Sequence, residues 1–349
     1  MVKSILKRSG FSKCRYVFTG YQLETGEIAS FFIELDILNP AVSPETVQSN
    51  LCTVAAVSDP SLYASAASTP AAVPSYFVIR AGMYGSGGCR FESFNPTGLL
   101  TVSKKELRLS CGSCTFGYTE SAGSVSDPVA GTMSWNLRME KNTDRVPVTL
   151  QRDVKWNVVG MRTVFSGSVT VNGAEWIVKP SLSNGYSDLL WGKNYPEPFF
   201  HLSGSRLQSL ISGKLLENSS FAVQGVCAGT AAVFADFETD DRVQRVSYVQ
   251  KREKVRFNCT TVDSNVHWTV SAENKNFLLD IDVYCDAAQM MLRKYELPFA
   301  STAELHVLGG GAGIGEIKLY RRGRKNLELI EYAKLEHAFC EYGSIDTAP

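Results

Sequence analysis

Histidine is scarce in this chain: four among 349 residues, His201, His267, His306 and His337. None stands at H-x-x-H or H-E-x-x-H spacing, which excludes the common catalytic zinc sites and the two-histidine, one-carboxylate iron site, so no metal is expected. A charge excess of either sign is also missing, since 35 Lys and Arg stand against 35 Asp and Glu. Without a basic surplus there is no broad electrostatic pull toward nucleic acid or an anionic bilayer. No apolar run approaches the roughly 20 residues of a membrane helix, and the opening MVKSILKRSGFSKCRYVF has no apolar stretch long enough for a secretory leader. A soluble, cytoplasmic protein is expected, with peripheral membrane contact as one route to a greasy ligand.

Nucleotide and hydrolase signatures are absent too. The run 309–315, GGGAGIG, fits G-x-G-x-x-G in no register and lacks the Gly-Lys-Ser/Thr ending of a P-loop, so it is expected to be a flexible turn. No G-x-S-x-G elbow exists for a serine hydrolase. The nine cysteines (Cys14, Cys52, Cys89, Cys111, Cys114, Cys227, Cys259, Cys285, Cys340) are odd in number and scattered, and they read as reduced thiols. Only Cys111-Gly-Ser-Cys114 has ligand-like spacing. A structural zinc site needs a second close pair, none follows, and two thiols on a strand are expected instead.

What the chain does contain is strand. Short β-rich runs recur at 29–38 (ASFFIELDIL), 75–80 (SYFVIR), 99–102, 164–171, 174–178, 245–250, 255–260, 266–271, 277–284, 315–320 and 327–339. Asn172-Gly173 between two alternating runs is the strongest hairpin signal, because both turn positions need positive φ. Helical patterns are few: 204–216 (GSRLQSLISGKLL) and 286–296 (DAAQMMLRKYE). The Ala-, Ser- and Pro-rich stretch 55–74 reads as a surface loop or a lid. Length predicts about two domains, and the pause in the strand pattern near 204–218 divides them into 1–203 and 204–349. An all-β protein of two antiparallel barrels or sandwiches is expected.

The densest segment is 185–202, GYSDLLWGKNYPEPFFHL. Tyr186 and Asp188 are two apart, so on a strand they share a face. If that face lines a pocket, Trp191, Phe199 and Phe200 supply apolar walls, and burial raises the Asp188 pKa toward that of a useful general acid. A carboxylic acid kept protonated can protonate an alkene, and aromatic faces stabilise the cation that results. The plainer alternatives are that Asp188 caps turn amides, that the aromatic rings are core, and that His201 is a buried histidine with a structural partner.

Three separated motifs resemble the tocopherol cyclase family. Phe18-Thr19-Gly20-Tyr21, then Ser30-Phe31-Phe32-Ile33 and Asn39-Pro40, look like its opening. The stretch Gly167–Gly173 through Tyr186-Ser-Asp-Leu-Leu-Trp191-Gly192-Lys193-Asn-Tyr-Pro196 to Phe199-Phe200 is similar to its most characteristic block. Gly315-Glu316-Ile-Lys-Leu through Glu341-Tyr342-Gly343 resembles its close. The chain departs from the pattern at Gly20-Tyr21-Gln22, where the family has a Trp, at Lys155, where a histidine is expected beside Trp156, and at Phe199-Phe200-His201, where phenylalanines replace tryptophans.

This resemblance implies an all-β fold of two lipocalin-like antiparallel β-barrel domains with few short helices, shared more distantly with carotenoid hydratases. It implies cofactor-independent protonation of a prenyl double bond, followed by capture of the cation by an oxygen. Asp188 becomes the expected proton donor and Tyr186 its partner, with Trp156, Trp176 and Trp191 walling the site and Glu341 a second carboxylate. Phe199, Phe200 and His201 complete the expected substrate contacts. The expected partner is a hydrophobic small molecule, and the rival expectation is binding or carriage of such a molecule without conversion.

Overall fold

The computed structural model describes residues 9–41, 73–103, 108–141, 147–151, 153–226, 230–239, 242–249, 254–299, 301–324 and 326–346. The chain forms two curled antiparallel sheets, one after the other. The first runs through β1 (Phe11–Tyr21), β2 (Ile28–Leu38), β3 (Tyr76–Met83), β4 (Cys89–Asn95), β5 (Thr101–Val102), β6 (Arg108–Cys111) and β7 (Cys114–Gly117). It continues through β8 (Glu120–Asp127), β9 (Gly131–Lys141), β10 (Val148–Gln151), β11 (Val154–Gly160), β12 (Thr163–Val171), β13 (Ala174–Val178) and β14 (Gly185–Gly192). The second contains β15 (Phe199–Ser209), β16 (Leu215–Val226), β17 (Thr230–Glu238), β18 (Val243–Tyr248) and β19 (Lys254–Val262). It is completed by β20 (Asn265–Glu273), β21 (Phe277–Asp286), β22 (Met291–Glu296), β23 (Glu304–Arg322) and β24 (Leu327–Asp346). The expected all-β, two-barrel class is what the chain adopts. The sheets part between Gly192 and Phe199, so the expected division at 203/204 falls inside β15.

Alternation along the strands explains the layering. In β1, Cys14, Tyr16 and Phe18 enter the first barrel's core, where Phe31, Phe91, Phe116, Trp135, Phe165 and Trp176 also pack. The intervening Phe11, Lys13, Arg15 and Val17 are just as buried, because the second barrel covers that face. In β15 the pattern repeats: Phe200 and Leu202 enter the second core, while Phe199, His201 and Ser203 face the first barrel. Strands buried on both faces lose the usual polar-out alternation. Here one of the buried faces carries charge.

The Asn172-Gly173 hairpin forms as expected, with φ of 49° and 86° and Val171 opposite Ala174. Neither helix forms. Residues 204–216 are the end of β15, a tight turn with Gly213 at φ 71°, and the start of β16. Residues 286–296 are one 3-10 turn, Ala287–Gln289, capped by Asp286 and followed by β22. Both are short enough for tertiary pairing to override local propensity. The 309–315 run is not a turn but the middle of β23. The loop expected over 55–74 lies almost wholly outside the described residues.

Candidate functional site

The two barrels meet along a seam, and a single cross-strand row on the first barrel sets its chemistry. Asp188 on β14 stands opposite Arg15 on β1, Arg15 opposite Glu34 on β2, Glu34 opposite Arg80 on β3, and Arg80 opposite Glu92 on β4. Charge alternates at every step, so each position is attracted to both neighbours. Lys13 and Asp36 form a partial second row beside it.

Asp188 is the end of this row and the centre of a hydrogen-bonded group. Arg15 grips it through Nε to Oδ1 at 3.1 Å and Nη2 to Oδ2 at 2.6 Å. Trp156 Nε1 donates to Oδ2 at 2.9 Å and the Tyr186 hydroxyl to the same oxygen at 2.8 Å. From the second barrel, Glu341 accepts from Arg15 Nη1 and from Arg293 Nη2. Arg293 also donates to Glu34 at 2.8 Å, and Glu34 accepts from Tyr295 at 2.9 Å and pairs with Lys13 at 3.2 Å. Arg15, Tyr186, Asp188, Trp156, His201 and Glu341 are each no more than 3 % exposed. Taking such ions from water costs several kcal/mol apiece, which only close pairing offsets.

The electrostatics follow from that crowding. Burial alone would raise the Glu34 carboxyl, but Arg293 and Lys13 outweigh it and hold it well below the usual carboxylate range. Burial opposes the Arg15 charge, and Asp188 and then Glu341 overcome this and raise its pKa. Burial, followed by the Asp188 charge, pushes the Tyr186 phenol up. His201 is held neutral by burial and by Arg15. Its Nδ1 lies 3.2 Å from both Arg15 Nη2, a donor, and Gln224 Oε1, an acceptor, so a proton there satisfies one partner and opposes the other. Nε2 lies 3.2 Å from Ser203 Oγ, which serves either tautomer.

The structure therefore brings together Tyr186, Asp188, Trp156, His201 and Glu341, and puts Phe199 beside them under Lys13, 5.5 Å from the ring centre. It does not bring Trp176, Trp191 or Phe200. Trp176 is inside the first barrel, edge-on to Phe31 at 5.4 Å. Trp191 projects from the face of β14 opposite Asp188 and packs against the same core. Phe200 is inside the second barrel, 4.5 Å from Phe257. Sequence reasoning missed Lys13, Arg15, Glu34 and Arg293. The first three did leave a signal: charges at period two inside FSKCRYV and FFIELDI, strands otherwise too apolar to face water.

Two openings adjoin the seam. A cavity of about 20 Å³ lies beside Tyr186, lined by Thr19, Ser30, Ser203, Ser205, His337 and Phe339 among others. Val17, Phe18 and Phe339 share this lining with the polar side chains, and it has room for one water. At the other end, a groove of about 510 Å³ runs between Tyr76, Arg80, Glu92 and Phe94 of the first barrel and Lys294, Glu296 and Glu304 of the second. Arg80 reaches Asp36 at 3.3 Å, Tyr195 donates to that carboxylate at 2.7 Å, and Asp36 Oδ1 has no hydrogen-bond partner among the described residues. Burial pushes the Asp36 pKa up. Among the described residues no group of three or more His, Cys, Asp or Glu side chains is arranged to hold a metal ion, and no helix is long and apolar enough to cross a membrane.

No family model matches the chain, and no curated protein does. Among solved structures, a provisional AttH of Nitrosomonas europaea is similar over 96 % of this chain and 92 % of its own, at 7 % identity and a TM-score of 0.45. Kievitone hydratase of Nectria haematococca is similar over 98 % of this chain and 93 % of its own, at 10 % identity and a TM-score of 0.43.

Proposed function

We propose that this chain is a tocopherol cyclase-like acid–base catalyst that needs no cofactor and cyclises, isomerises or hydrates a prenylated or polyene substrate at the seam. The observation that carries the reading is the Tyr186–Asp188 pair, joined at 2.8 Å and buried, with Tyr186 lining a cavity the size of one water. Hydration or cyclisation puts one proton on a double-bond carbon and removes one from the attacking oxygen, so a single carboxyl can serve both steps. Asp188 is that carboxyl, and the first step requires it to take up a proton against its ion pair with Arg15. Tyr186 relays the proton between it and the attacking oxygen, Arg15 fixes its orientation through two hydrogen bonds, and Trp156 offers a π-face for the cation. A prenyl chain exceeds a cavity of about 20 Å³, so the reading requires the barrels to part beside Tyr186 when substrate enters.

The test is conversion of prenylated quinols and linear polyenes, followed by mass spectrometry. Asp188→Asn and Tyr186→Phe should each slow turnover by about 10²–10⁴-fold, the usual contribution of a placed acid or base. Trp176→Phe, inside the barrel core, should leave it unchanged. Turnover indifferent to Asp188→Asn sinks the mechanism.

A second reading, binding without conversion, is favoured by the groove of about 510 Å³, which falls within the range of small-molecule sites. Its Tyr76 and Phe94 rings, 5.5 Å apart, stand beside Arg80 and Glu296 and suit an amphipathic ligand. Saturable binding that Phe94→Ala weakens, with no conversion of any ligand, would replace the first reading by this one.

A further inference from the structure

The pair Cys111 and Cys114 is remote in role from the seam, and its geometry is unusually specific. The two residues are direct partners across the β6–β7 hairpin, joined only by Gly112 and Ser113. Gly112 takes φ 54°, which makes so short a turn possible. Opposed strand residues have Cα atoms about 4.5–5.5 Å apart, inside the span of roughly 4.4–6.8 Å that a disulfide bridges. Both side chains project to the same face, into the first barrel's core, where Cys111 is 7 % and Cys114 3 % exposed. Space is kept for them: a Cβ on Gly123 would lie 2.7 Å from Cys114 Sγ.

We propose that Cys111 and Cys114 form a redox-active dithiol that is oxidised to a disulfide by low-molecular-weight disulfides and regenerated by thiols. Both thiols are buried, so an oxidant reaches them when the hairpin opens at its exposed tip, Gly112 and Ser113. Cys114 is the nucleophile. The neighbouring Cys111 thiol lowers its pKa to about 6, and Cys114 in turn raises that of Cys111. The Cys114 thiol donates to the Ser124 carbonyl at 3.4 Å.

The electron balance is that of thiol–disulfide exchange. The Cys114 thiolate attacks one sulfur of the small disulfide, forms a mixed disulfide and expels one thiolate. Cys111 then loses its proton, attacks Cys114 Sγ and expels the second. The pair has lost two electrons and two protons, and the small disulfide has become two thiols. A structural role as a staple fits less well, because closing so short a loop removes little freedom from the unfolded chain compared with a long one. A metal site fits less well still, since no third His, Cys, Asp or Glu joins the pair among the described residues.

Oxidised glutathione added to the reduced protein tests this. The expected product has lost two hydrogens, mapped by peptide mass spectrometry to the fragment holding both cysteines, and dithiothreitol reverses it. Cys111→Ser should stop at the mixed disulfide, leaving a glutathione adduct on Cys114, whereas Cys114→Ser should react at least tenfold more slowly at Cys111. Near-native circular dichroism of both variants guards against misfolding as the cause. Persistence of both thiols, oxidation confined to other cysteines, or equal adduct yields in the two variants would each overturn the proposal.

Discussion

Arg15 and Arg293 flank one carboxylate, Glu341, and each also holds a carboxylate of the first barrel, Asp188 for Arg15 and Glu34 for Arg293. Removing one cation from this group leaves buried negative charge without compensation. Arg293→Met is expected to cost about 3–5 kcal/mol in urea-induced unfolding, the range for breaking a buried pair from one side. His201 sets a second expectation. Burial and then Arg15 lower its pKa, and burial also lowers that of His337. The unfolded chain takes up protons at these positions below about pH 6.5 while the native protein does not, so stability should fall as pH drops through that value. Glu34, whose native pKa is depressed, contributes stability present above its unfolded value of about 4.3 and lost as pH falls further. Urea midpoints measured from pH 8 to 2 should show both declines, and His201→Gln should reduce the first. Tyr186 and Asp188 were legible because two residues apart on a strand share a face. The arginines that hold Asp188 and Glu341 were not, because they arrive from strands distant in sequence and only the folded register shows the pairing.

β23 shows what glycine does in the middle of a strand. A Cβ on Gly309 would lie 2.6 Å from Arg293 Nη2, so its absence lets that guanidinium cross the strand to reach Glu341. A Cβ on Gly311 would lie 2.4 Å from Ser30 Cβ, so here the first barrel approaches the bare backbone, and the Ser30 hydroxyl donates to the Gly311 carbonyl. Irregular register between Gly310 and Gly315 bends the strand along this contact. Gly311→Ala should therefore destabilise by about 1–3 kcal/mol, as overpacking does, and a thermal or urea midpoint unchanged from wild type would contradict the close approach. The glycine run looked like a turn in the sequence because a flexible backbone and a close-packed one are written with the same residue. The hairpin at Asn172-Gly173 was legible because its turn needs nothing from the rest of the molecule. The segment 204–216 was not, because it turns back on β16 through a bulge at Arg206, φ 57°, and only distant β24 pairs Gln208 and Ser209 on the other side.

On the scale of the molecule, the seam couples the barrels through charge as well as through Phe11, Trp156, Phe199, Phe234 and their neighbours. One cooperative transition is expected. Trp135, Trp156, Trp176 and Trp191 belong to the first barrel and only Trp268 to the second, so fluorescence reports mainly on one half, while far-ultraviolet dichroism reports on both. Coincident curves from the two probes are the expected result, and separated curves would show that the seam does not bind the halves into one unit. At the seam, among the described residues, four buried cations, Lys13, Arg15, Arg80 and Arg293, stand against four buried carboxyl groups, Glu34, Asp36, Asp188 and Glu341. The division between barrels is just as even: three and three on the first, one and one on the second. Ribosomal synthesis delivers the first barrel before the second exists. During that interval its unfinished face shows water a strip of self-neutralising ion pairs, rather than an unbroken oily patch of the kind that draws nascent chains into aggregates.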